Sequence, residues 1–158
     1  MGSNNPPKSD RAAHSILHLV KQVQYKAYVR LESVLNPLGV TAVQFRILTT
    51  LSTRPNMSSA ELARLYDVKP QTMIKQIVNL ESNGLIERNL AKGSKRVLEV
   101  SMTDAGRLAL RACDKASTAV EAAIFSSFAP GELETYRALM EKVLAGMRDI
   151  PSDLEAEE

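Results

Sequence analysis

Apolar residues along this chain recur at helical spacing in six stretches, interrupted by two short runs of extended character. From Asp10 onward, Ile16, Leu17, Val20, Val23, Ala27, Leu31, Val34 and Leu35 follow at helical intervals until Asn36-Pro37 ends the pattern. A helix over residues 10–36 would span about 40 Å. That outruns the cover one small domain offers, so the pattern predicts a partner chain. Thr41-Ala-Val-Gln44 has the spacing of a capping box and predicts a second helix to about Ser52, with Phe45, Leu48 and Leu51 on its buried face. Ser58-Ser-Ala-Glu61 repeats the box and opens a short third helix through Leu62 and Leu65, ending near Tyr66-Asp67.

Pro70 suits the first turn of a fourth helix, where its missing N–H is no loss, and Gly84 can take the left-handed conformation that closes it. Met73, Ile74, Ile77, Val78 and Leu80 fall on one arc of that helix; Gln71, Thr72, Lys75, Gln76 and Asn79 fall on the other. Ile86 to Leu90 and Lys95 to Val100 read as strands, with Ala91-Lys-Gly-Ser94 as the hairpin tip. Thr103 caps a fifth helix running to Phe128, and Pro130-Gly131 separates it from a sixth that runs from Glu132 to about Arg148. Residues 1–9 read as a disordered arm, and Asp149 to Glu158, with five acids and no base, as an acidic tail without assigned function. The fold expected is mainly α with a small β-hairpin wing: a single domain over residues 10–148, with a winged helix-turn-helix at 41–102 and dimerisation helices at 10–36 and 104–148.

Composition narrows the classes. At 158 residues and 44% hydrophobic, the chain can bury a core, and no apolar run reaches the roughly 20 residues of a membrane span. The first residues hold no apolar signal core, and Pro6 occupies the position where myristoylation wants Ser or Thr, so a cytoplasmic protein without a membrane partner is expected. A single cysteine, Cys113, excludes an internal disulfide and a cysteine-only metal cage. The net charge of +2 conceals a division. Residues 1–96 hold 14 Lys and Arg against 6 Asp and Glu, whereas residues 97–158 hold 6 against 12. A basic front suggests a polyanion partner.

The hydrogen-bonding arc of the fourth helix suits base edges in a major groove, since Gln and Asn can bond adenine and Lys can reach guanine or phosphate. A solvated helix face looks the same, and the hairpin decides between the two readings. Residues 86–96 hold Arg88, Lys92, Lys95 and Arg96 against Glu87 alone. The DNA-contacting set is therefore Lys69, Gln71, Thr72, Lys75, Gln76, Asn79, Arg88, Lys92, Lys95 and Arg96, with the helix reading bases and the wing supplying phosphate affinity.

Four ordered segments resemble the MarR family of bacterial winged-helix transcription regulators, and the likeness covers roughly residues 10 to 148. Thr41-Ala-Val-Gln-Phe-Arg-Ile-Leu48 resembles the family's second helix and Ser59-Ala-Glu-Leu-Ala63 its third. Val78-Asn-Leu-Glu-Ser-Asn-Gly-Leu-Ile-Glu-Arg88 resembles the end of its recognition helix, and Ser101-Met-Thr-Asp-Ala-Gly106 the exit from its wing. Two positions depart. The family commonly has Asp-Arg-Arg at the wing tip, where this chain has Ser94-Lys95-Arg96; Arg96 is then the minor-groove candidate and Lys95 a looser phosphate contact. The family's recognition helix tends to carry a Ser, Thr or Asp cap, where Lys69 precedes Pro70.

The resemblance implies a homodimeric regulator, a repressor by default, on double-stranded DNA with an inverted-repeat operator. Ala105, Ala109, Ala112, Ala116, Ala119 and Ala123 form a small-residue seam on the fifth helix, and Tyr136, Met140, Val143 and Met147 a stripe on the sixth. Both also suit an ordinary core within one chain. The family implies a small aromatic or phenolic effector held between the dimerisation helices and the winged part; by position His18, Tyr25, Tyr28 and Arg46 are its candidates. Tyrosines packed at an interface and a surface-paired arginine are the simpler account of the same residues.

Other classes find little. His14 and His18 stand at i, i+4, but His-Ser-Ile-Leu-His lacks the glutamate of the metalloprotease motif, so surface or interface histidines are the better reading. No Gly-x-Ser-x-Gly elbow or phosphate-cradling glycine loop occurs, so neither an enzyme nor a cofactor is expected. Cys113 falls mid-helix beside the alanine seam and reads as a buried, inert thiol. The alternative is a winged-helix protein-interaction module without DNA binding, whose wing would be neutral or acidic where this one is basic.

Overall fold

The computed structural model describes residues 15–148 and 150. The expected arm at 1–9, the opening of the long helix with His14, and all of the expected tail except Ile150 lie outside the described residues. The elements are α1 (Ile16–Leu35), a 3-10 turn (Asn36–Leu38), α2 (Ala42–Thr53), β1 (Met57–Ser58), α3 (Ser59–Leu65), α4 (Pro70–Ser82), β2 (Ile86–Leu90), β3 (Leu98–Met102), α5 (Asp104–Ile124) and α6 (Glu132–Met147).

Local chemistry explains the boundaries. The Thr41 hydroxyl accepts the Gln44 N–H at 3.2 Å while the Gln44 carboxamide accepts the Thr41 N–H at 3.0 Å, so both halves of the first capping box form. Ser58 and Glu61 do the same at the head of α3. Gly84, at φ +69°, ends α4, and the Leu85 N–H returns to the Leu80 carbonyl at 3.0 Å. Thr103 caps α5 through the Gly106 N–H at 3.0 Å and donates its hydroxyl hydrogen to the Gly84 carbonyl at 2.6 Å, tying the end of α4 to the start of α5.

The hairpin pairs antiparallel from Ile86 opposite Met102 to Leu90 opposite Leu98, so the second strand starts three residues later than Lys95. A third strand, β1, joins its far edge with Met57 opposite Val100, giving the order β1-β3-β2. Leu35, Ile47, Leu48, Leu62, Met73, Ile77, Leu80, Ile86, Val100 and Cys113 form the core beneath this sheet. Each fully buried aliphatic side chain contributes about 1.5–3 kcal/mol. On α2 the buried face is Ala42, Gln44, Ile47, Leu48 and Leu51, with Phe45 only half-buried against it.

The chain forms two compact units that meet within α5, one to Val120 and one from Glu121. The first half of α5 explains the division, because its buried residues are Gly106, Leu110 and Cys113 and none lies beyond. In the second unit the helix ends at Ile124 instead of Phe128, where Phe125, Phe128 and Tyr136 pack with ring centroids 5.1, 5.7 and 5.8 Å apart.

Candidate nucleic-acid interface

The core side of α4 is set by Met73, Ile77 and Leu80, all buried. At 100° per residue, the side facing away from them carries Gln71, Lys75, Val78 and Ser82, at i, i+4, i+7 and i+11, with Asn79 and Thr72 beside them. The expected division of this helix is corrected at three positions. Ile74 and Val78, placed on the core arc by their apolarity, are 45% and 46% exposed. Gln76, placed outward, is half-buried at the helix flank. Val78 thus puts an apolar group on the outward face, of the kind that contacts a thymine methyl.

Asn79 is engaged within the protein. The Gln44 Nε2 donates to its Oδ1 at 2.6 Å, and the Asn83 Nδ2 reaches the same oxygen at 3.3 Å. Gln44 itself is buried, and its role went unseen in the sequence because a capping-box Gln gives no sign of a partner 35 positions away. At the head of the helix, Lys69 holds the extended backbone of a cap, but its side chain caps nothing. The Lys69, Gln71, Thr72 and Lys75 side chains are exposed.

The wing separates its bases into two groups. Arg88 donates from Nε and Nη2 to the Glu81 carboxylate at 3.0 and 2.5 Å, with both side chains about one-third exposed. Glu81 raises the Arg88 guanidinium above its ordinary value, and Arg88 holds the Glu81 carboxyl below the usual carboxylate range. Arg88 is therefore not one of the wing's free cations. Lys92, Lys95 and Arg96 are exposed around the tip. The tip turns at Gly93, φ +81°, and Ser94 Oγ accepts the backbone N–H groups of Arg96 and Val97 at 3.2 and 3.0 Å.

A polar, outward helix beside a basic hairpin on one winged unit is the geometry found in known DNA-binding regulators. The MarR family model matches residues 40–98. The repressor Rv2887 of Mycobacterium tuberculosis is 32% identical over 111 residues, covering 70% of this chain and 80% of the relative. The chain belongs to the MarR family. It is a transcription regulator and not an enzyme. Structures of Rv2887 with DNA and with salicylic acid match with TM-scores of 0.70 and 0.68, at 26% and 29% identity, covering 82% of this chain and 97% and 96% of theirs. MarR of Escherichia coli bound to operator DNA matches with a TM-score of 0.73 at 25% identity, covering 80% of this chain and 91% of that one.

Against the MarR pattern of a wing-tip Asp, the Ser94 hydroxyl provides an acceptor for the tip backbone without adding a charge. Of the four effector candidates, two come together in a groove of about 620 Å³ between α1, α2 and α5: Tyr28 and Arg46, over Leu31, Ala42, Val43 and Phe45. His18 and Tyr25 are not part of it; His18 is hydrogen-bonded to Gln22 at 2.7 Å and Tyr25 is 65% exposed. Arg46 lies over the Tyr66 ring, 4.4 Å from its centroid, and Tyr66 donates its hydroxyl to the Arg46 carbonyl at 2.8 Å. Hydrogen bonding to Glu32 pushes the Tyr28 phenol above its ordinary value, helped by desolvation and the Glu32 charge. Cys113 is fully buried, and burial raises its thiol, as an inert core cysteine requires. Among the described residues no cluster of His, Cys, Asp or Glu could hold a metal, and no helix is long and apolar enough to cross a membrane.

Proposed function

We propose that this chain is a homodimeric, ligand-responsive repressor that reads an inverted-repeat operator with α4 and anchors on phosphate with the wing. The observation that carries this reading is the exposed Gln71, Lys75, Val78 and Asn79 face of α4 beside the free Lys92, Lys95 and Arg96 of the hairpin. Thr72 and Lys69 extend that face. Gln76 acts from its flank, and Arg88 stiffens the wing base through Glu81 instead of meeting phosphate. The known complexes of Rv2887 and of Escherichia coli MarR with DNA support the same use of this unit.

Dimerisation is supported by what the terminal helices leave uncovered. Along α1 only Leu35 is buried, and Ile16 and Leu17 are 72% and 71% exposed; no residue of α6 is buried. A second copy covering these stripes would set two copies of α4 to meet successive major grooves about 34 Å apart. The Tyr28 and Arg46 groove would take a small aromatic acid, as Rv2887 takes salicylic acid, with His18 and Tyr25 left to the interface. Cytoplasmic residence accords with this role. The test is binding of the full chain to duplexes enriched from its genome, followed across salt. A steep fall with salt at a palindromic site supports the reading; no binding at low salt turns it to a protein-interaction module.

A further inference from the structure

The hydrogen-bond polarity of Asn79 can be traced from a fixed point. The Thr41 backbone N–H can only donate, and it donates to Gln44 at 3.0 Å, so that atom of Gln44 is its carbonyl oxygen. The other end of the Gln44 carboxamide is then its Nε2, which can only donate. Its partner at 2.6 Å must be the Asn79 oxygen, and the Asn83 amide points a second donor at the same atom. The Asn79 oxygen is thus filled from within the protein, and its Nδ2 is the end left to meet solvent or DNA.

We infer that Gln44 is a positioning residue which makes Asn79 a hydrogen-bond donor only, toward guanine O6 or N7, thymine O4 or phosphate. The bidentate pairing of Asn with adenine needs both amide ends outward and is closed to it. This rests on reading α4 as the base-reading helix. Gln44→Glu reverses the polarity while preserving the cap, since a glutamate at this box position also accepts the Thr41 N–H. Its second oxygen accepts but cannot donate, so Asn79 turns its nitrogen inward and its oxygen outward, and the exposed Asn83 amide turns its own oxygen toward that nitrogen. Asn79→Asp keeps the bond from Gln44 but removes the outward donor.

The experiment is selection of bound duplexes from a randomised pool by the full-length wild type, Gln44→Glu and Asn79→Asp, with thermal melting of each. One base pair per half-site should change in Gln44→Glu from an acceptor-bearing edge toward cytosine N4 or adenine N6, by about fivefold to tenfold. Salt dependence should stay near wild type while the buried carboxylate lowers Tm somewhat, and Asn79→Asp, whose outward oxygen can only accept, should likewise lose the acceptor-bearing edge and turn toward cytosine N4. Unchanged preference in a folded Gln44→Glu, or uniform weakening on all sequences, overturns the inference and leaves the base-reading role intact. Should Gln44→Glu melt early, retention of the preference in Asn79→Asp overturns it instead. A wild type that selects no sequence overturns the base-reading role and the inference together.

Discussion

Gly106 approaches the Leu85 backbone so closely that a Cβ built on it would lie 2.0 Å from the Leu85 carbonyl oxygen and 2.7 Å from Met102 Cγ. The first turn of α5 therefore packs directly on the chain leaving α4, where Thr103 also bonds Gly84. Gly to Ala inside a helix ordinarily stabilises by about 1 kcal/mol. Here the sign should reverse, because the obstructing atom is backbone and cannot swing aside. Gly106→Ala should lower stability by about 1–3 kcal/mol in urea unfolding, as overpacking does. A stabilised variant would mean that this approach is not so close.

Lys69 and Thr41 occupy equivalent cap positions with opposite outcomes. Thr41 completes a capping box, whereas Lys69 has the extended backbone of a cap, φ −61° and ψ 141°, and serves the Thr72 and Met73 N–H groups with its carbonyl alone, at 2.9 and 3.2 Å, with no side-chain cap. Thr41→Ala should cost about 1 kcal/mol. Lys69→Asp should gain about 0.5–1 kcal/mol, from the new cap and a favourable charge at the helix N-terminus. The same substitution puts a negative charge on the DNA face. Its Tm should rise while its affinity for every duplex falls, and a variant that gained both would remove Lys69 from the interface.

The Arg88–Glu81 pair separates wing bases by job. Lys95→Ala should reduce the slope of log affinity against log salt by about one, and Arg88→Ala should leave the slope unchanged. The pair also has a pH signature. The Glu81 carboxyl is depressed when folded, so its contribution is present above the unfolded value of about 4.3 and is lost as pH falls through the lower folded value. Melting curves of wild type and Glu81→Gln should differ near neutrality and converge in acid. A gap that persisted in acid would point to packing instead of charge.

The starts of these helices were legible because capping is local: Thr41 with Gln44, Ser58 with Glu61 and Thr103 with Gly106 each act within four residues. The two-residue strand β1 was not, since Met57 has no periodicity to display and its partner Val100 is far along the chain. On α4 hydrophobicity misplaced Ile74 and Val78, because a 13-residue helix on a small core buries a narrower stripe than its apolar residues mark out. The free and paired bases of the wing carry the same letters. Only the fold shows that Glu81, seven residues earlier, claims Arg88 and leaves Lys92, Lys95 and Arg96 outward.

Effector response should depend on Tyr28 and Arg46 together. A tyrosine phenol is protonated at neutral pH, and Glu32 shifts Tyr28 further in that direction, so Tyr28 can donate to a ligand carboxylate in place of Glu32. Glu32 also accepts the Ala42 N–H at 2.7 Å, so a ligand that takes the phenol acts beside the first turn of α2, the helix whose Gln44 bonds α4. That adjacency gives a ligand a way to favour one arrangement of the reading helices, provided it binds the two arrangements unequally. With salicylate as probe, calorimetry should show Tyr28→Phe and Arg46→Ala each weakening binding by about tenfold, the loss of one charge-assisted hydrogen bond. Both variants should keep operator affinity in the absence of salicylate and need more of it for release. Unchanged salicylate affinity in both would move the effector site elsewhere.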